Sequence, residues 1–101
     1  MILVDELLTR AIVVWTGWGR SPSPARNEDA VLAAFGSEQG LDLLPRVRAL
    51  EDEFYDSNAS NEAPDLVTMG MQAAAEFSEK HPEVGEEGVR AFAWCYTYDF
   101  K

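Results

Sequence analysis

One cysteine, one histidine and eight basic residues are little for a chain of 101, and each shortage removes a class of function. A lone cysteine forms no internal disulfide, and with one histidine it leaves no ligand set for zinc. A histidine-based triad would have to use His81, which sits beside Pro82 where a helix is expected to end, so His81 reads as an ordinary terminal residue. No residue is assigned a catalytic role, and the chain is expected not to be an enzyme. Eight bases against 18 acids give a net charge of −10, a field that opposes nucleic acid and anionic membrane surfaces. The one close glycine pair, Gly17-x-Gly19, has neither the spacing and lysine of a phosphate loop nor the strand context of a dinucleotide fingerprint. No cofactor is expected. Long apolar runs are missing too: Ala11–Trp15 is far short of the roughly 20 residues that span a bilayer. The opening Met1–Glu6 lacks the basic and apolar regions of a secretory signal, which makes the cytoplasm the expected compartment.

What is present suits a folded domain. The composition is 47% hydrophobic and 26% charged, too apolar for general disorder, and the length allows one core and one domain over residues 1–101. Apolar residues at Leu7, Leu8, Ala11, Val14, Trp15 and Trp18 recur at helical spacing, which predicts a helix over about 3–15. Two glycines and two prolines in Thr16–Pro24 end it. A short second helix begins at Ser23-Pro24, with Asn27 as a rival cap, and stops at Gly36. The third carries Leu41, Leu44, Val47, Leu50 and Phe54 at intervals of three or four. Starting it near Leu41 keeps Pro45 in the first turn, where the backbone N–H groups have no partner. Ser57–Pro64 reads as a polar loop. A fourth helix runs over about 64–80, with Leu66, Met69, Gly70, Ala73 and Phe77 on one face.

The closing stretch, Ala91–Lys101, holds five of the eleven aromatics and the cysteine. Phe92, Trp94, Tyr96, Tyr98 and Phe100 alternate as in a strand, yet Val89, Phe92, Ala93 and Tyr96 also share a helix face. The preceding helices offer no sheet to join, and a lone strand leaves its backbone unpaired. The expected fold is therefore all-α, a four- or five-helix bundle around a central C-terminal helix with Trp94, Tyr96 and Tyr98 in its core and Cys95 as inert filler. The minor alternative is α+β, with the C-terminal segment as a strand.

Acidic clusters are the remaining signal. Asp52 and Asp56 share a helix face, with Glu51 and Glu53 adjacent, and Tyr55 lies among them. Neither the calcium-loop pattern nor the Glu-x-x-His of di-iron bundles occurs, so no metal site is assigned. Arg46 and Arg48 stand within helical reach of Glu51 or Asp52. Two readings follow. In the first, Glu51, Asp52, Glu53, Tyr55 and Asp56 dock a basic protein partner, and Trp18 beside Arg20 is an exposed aromatic anchor. That places the chain by class with small acidic helical inhibitors, immunity proteins and antitoxins, on composition alone. In the second, a homo-oligomer or complex subunit assembles through leftover apolar surface that includes Trp18. A tryptophan simply folded back onto the core is the bland alternative for Trp18.

Overall fold

The computed structural model of the chain describes residues 3–57 and 59–100, with Ser60 through its backbone alone. Met1, Ile2, Asn58 and Lys101, which fall within the readings of the N-terminus, the polar loop and the closing stretch, lie outside them. Among the described residues there are six helices and no strand: α1 (Glu6–Thr16), α2 (Glu28–Phe35), α3 (Ser37–Tyr55), the single turn α4 (Ala59–Glu62), α5 (Leu66–Lys80) and α6 (Glu86–Asp99).

Each long helix is amphipathic for the reason its spacing predicts. On α1, Leu8, Ala11, Ile12 and Trp15 point inward. Asp5 caps its start by accepting the Leu8 N–H at 3.0 Å. Gly17, at φ +79°, closes its end by donating to the Val13 carbonyl, a left-handed position that a side chain would strain. α2 starts at Asn27, whose side-chain oxygen accepts the Ala30 N–H at 3.0 Å, so the rival cap prevails over Ser23-Pro24. Residues 21–27 instead run back along the end of α1, with Ala25 N–H on Thr16 O and Asn27 N–H on Trp15 O.

α3 corrects the expected start near Leu41. It begins at Ser37 and carries Pro45 in its interior. The proline removes the donor for the carbonyl of Leu41, but both residues lie on the exposed side of the helix, where an unpaired acceptor costs little, and the helix continues. The loop after it is also more ordered than expected. Ser57 Oγ accepts the Ala59 N–H at 3.1 Å and starts α4, and α5 begins at Leu66, two residues after the expected 64, with Asp65 as its cap accepting the Thr68 N–H at 2.7 Å. That hydrogen bond holds the Asp65 carboxyl below its usual range.

α6 packs against α1, α3 and α5, which makes the C-terminal helix central. Phe54 of α3, Phe77 of α5, and Phe92 and Tyr96 of α6 form one aromatic cluster, with ring centroids 5.2–5.7 Å apart. Cys95 is fully buried. Trp94 and Tyr98 depart from the expectation that they belong to this core: Trp94 is half-buried and Tyr98 is 41% exposed. At 100° per residue they fall on the side of α6 away from Phe92 and Tyr96.

Candidate functional site

The side of α6 that faces away from the aromatic cluster meets the outer side of α5 in a shallow apolar groove. Val67, Gly70, Met71 and Ala74 line it from α5, and Arg90, Ala93, Trp94 and Thr97 from α6. Both sets run i, i+3, i+4, i+7, one stripe of each helix. The half-buried Trp18 closes one end, so that ring both packs against the core and remains partly accessible. Leu66 and Tyr98 extend the surface at the other end, where a second depression shares Val67, Trp94 and Thr97.

Local chemistry keeps this surface apolar. Thr97 donates its hydroxyl to the Ala93 carbonyl at 3.0 Å, which leaves its methyl on the α5 side. A Cβ placed on Gly70 would come within 2.7 Å of that methyl, so glycine is what lets α5 and α6 approach this closely. Val67 is 73% exposed and Met71 68%. Arg90 is the only charged lining residue, and the lining contains no acid, on a chain that carries 18.

The acidic segment lies elsewhere, and part of it is already engaged. Arg26, from the connection before α2, places Nε 3.0 Å from Glu51 Oε1 and Nη2 3.0 Å from the Tyr55 hydroxyl and 3.2 Å from Asp99 Oδ2. Tyr55 donates its hydroxyl to Asp99 Oδ2 at 2.5 Å. Burial pulls the Arg26 pKa down, but Glu51 foremost, with Tyr55, Cys95 and the Asp99 hydrogen bond, outweighs it and leaves the guanidinium raised. Burial, reinforced by Asp99, likewise raises the Tyr55 phenol above its ordinary value. Glu51 and Tyr55 are therefore parts of a polar tie between the 24–27 segment, α3 and α6. The helical pairings expected of Arg46 and Arg48 give way to tertiary ones: Arg46 pairs with Asp5 and Arg48 with Glu28, while Arg48 also lies 5.4 Å from the Trp15 ring centre. Asp52 and Asp56 remain exposed, four residues apart, and Glu53 approaches His81 Nε2 to 2.9 Å.

The chain matches no protein-family model, no curated protein and no solved structure.

The structure thus separates the residues that the sequence grouped as one candidate surface. Trp18 belongs to the groove on one side of α6; Tyr55 directly, and Glu51 through Arg26, meet Asp99 on the opposite side, roughly 180° around the helix at 100° per residue. Val67, Met71 and Trp94 were missed as surface residues. Their signal was a second apolar stripe on each of two helices, beyond the stripe that the core uses.

Cys95 offers no reactive thiol. Burial, opposed only in part by Arg26, pushes its pKa up to about 12, which leaves a thiolate fraction on the order of 10⁻⁴ at pH 8. A disulfide reagent such as DTNB is expected to label the native protein at pH 8 at least about a hundredfold more slowly than the chain unfolded in guanidinium, where the thiol returns to a pKa near 8.5. Equal rates would show that the cysteine is accessible. Among the described residues, no group of three or more His, Cys, Asp or Glu side chains is disposed to hold a metal ion, and no helix is long and apolar enough to cross a membrane.

Proposed function

We propose that this chain is a non-enzymatic protein-interaction domain that docks a basic, amphipathic helical segment of a partner protein in the α5/α6 groove. The observation that carries this reading is an acid-free apolar groove on a protein of net charge −10. The groove seats the apolar face of such a segment, and Trp18 and Trp94 are the anchor type that dominates interfaces. The net charge of −10, to which exposed Asp52 and Asp56 contribute from outside the groove, attracts the basic face and speeds encounter. A second copy of the chain fits less well, because it would bring another −10 against the first. An inhibitor, immunity-protein or antitoxin-like role and an intracellular setting are compatible with this reading.

Calorimetric titration with a synthetic helix bearing Leu on one face and Lys on the other tests it. One-to-one binding is expected that weakens with salt and falls at least about tenfold when Val67→Asp and Met71→Asp are combined, a loss of about 1.4 kcal/mol or more. Both positions are exposed, so stability should stay within about 0.5 kcal/mol. Neutralising Asp52 and Asp56 should slow association and leave dissociation nearly unchanged. Binding indifferent to Val67→Asp/Met71→Asp rejects the groove. A dimer in light scattering that the same pair of substitutions dissociates would replace the partner with a second copy.

A further inference from the structure

Trp18 also lines a second concavity, formed by the end of α1, the connection to α2 and the first turn of α2, with a volume of 380 Å³. Its walls are fixed by backbone hydrogen bonds. Arg20 and Ser21 N–H groups turn back to the Gly17 carbonyl, and those of Ala25 and Asn27 reach Thr16 and Trp15 of α1. Val13, Val14, Ala25 and Ala30 make the interior apolar, and the Trp18 ring adds a flat face.

Charge sets this cleft apart. Its lining includes Arg10, Arg20 and Glu87, a formal sum of +1 on a chain of −10. Arg26, Arg46, Arg48 and Arg90 each pair with a carboxylate. Among the described residues, Arg10 and Arg20 pair with none, and both line the cleft. One nearby polar group favours an anion as well: Asn27 uses its side-chain oxygen to cap α2, which leaves its NH2 as a donor. Ser21 gives no such help, because its hydroxyl proton is committed to Ser23 O at 2.6 Å and only its lone pairs remain.

We propose that this cleft binds a monoanionic carboxylate carried on a flat apolar body, with the Arg10 and Arg20 guanidinium groups on the carboxylate and the Trp18 ring against the body. The guanidinium fork matches carboxylate geometry, and the volume lies within the range of small-ligand sites. A more highly charged phosphate is disfavoured by a lining sum of only +1 within a strongly acidic field. The same chemistry has two sources, a free aryl acid and the C-terminal aromatic residue of a peptide. The site is independent of the groove reading except for the shared Trp18.

Amide NMR titrations with benzoate, N-acetylphenylalanine and benzyl alcohol test the proposal. One or both carboxylates should shift the Gly17, Gly19, Ser21 and Ala25 resonances to saturation, and whichever binds more tightly identifies the source. Benzyl alcohol and inorganic phosphate should each bind at least about tenfold more weakly, as should the better carboxylate to the Arg10→Gln/Arg20→Gln protein. Both arginines are exposed, and an unchanged thermal transition verifies that this variant folds. The proposal is overturned if neither carboxylate gives saturable shifts at the cleft, if the alcohol binds as well as benzoate, or if the double variant binds unchanged. None of these results bears on Val67 and Met71, so a failed cleft leaves the groove test intact.

Discussion

Truncation after Gly88 is expected to leave a chain with no cooperative unfolding transition. The cut removes nearly all of α6, including Phe92, Cys95 and Tyr96, none of which shows any exposed surface. Burial of Phe92 alone contributes about 1.5–3 kcal/mol. The larger loss falls on the partners, because α1, α3 and α5 all pack on this helix and their inward stripes, Leu8 and Ile12, Phe54, and Phe77 among them, would face water. A domain of this size holds only about 5–15 kcal/mol in total. Near-UV circular dichroism of the shortened chain should therefore be flat and its thermal melt broad. A sharp, reversible melt would mean that α1–α5 close a core without α6.

Phe54→Ala is the point substitution with the largest expected cost, about 3–5 kcal/mol. Its ring lies 5.2 Å from Phe77, 5.7 Å from Phe92 and 5.6 Å from Tyr96, so one truncation opens a cavity among three helices and breaks three aromatic pairs. At about 4–8 °C per kcal/mol for a domain near 100 residues, the melting temperature should fall by at least about 12 °C. Neighbouring Tyr55 provides the contrast, since its ring is half-buried and its hydroxyl is tied to Arg26 and Asp99. A drop of only a few degrees for Phe54→Ala would show that the cluster collapses into the space without penalty.

The helices were legible because their core stripes repeat at three and four residues, as in Leu8-Ala11-Ile12-Trp15. The aromatic alternation of 92–100 was resolved by context, since the other segments provide no strand partner. Pro45 misled because the rule against interior proline weakens when the orphaned carbonyl faces water. The tie through Arg26 was invisible: its partners lie 25, 29 and 73 residues away, and no periodicity records such distances. The groove was hidden for a different reason. Val67 and Met71 lie off the stripe that the spacing picks out on α5, and only the geometry shows that its core is built from Met69, Ala73 and Phe77 while those two stay exposed.

The place of α6 in chain order affects how the protein is made. It follows every helix it holds together, so α1, α3 and α5 leave the ribosome before the surface that covers them exists. At about 5–20 residues per second, their apolar stripes stay open for as long as it takes to synthesise the remainder. Contacts between α1 and α6 then have to close a loop of most of the chain, a slow step for a helical protein. The net charge of −10 works against association during that interval, because two chains whose interiors are still exposed repel one another at close approach.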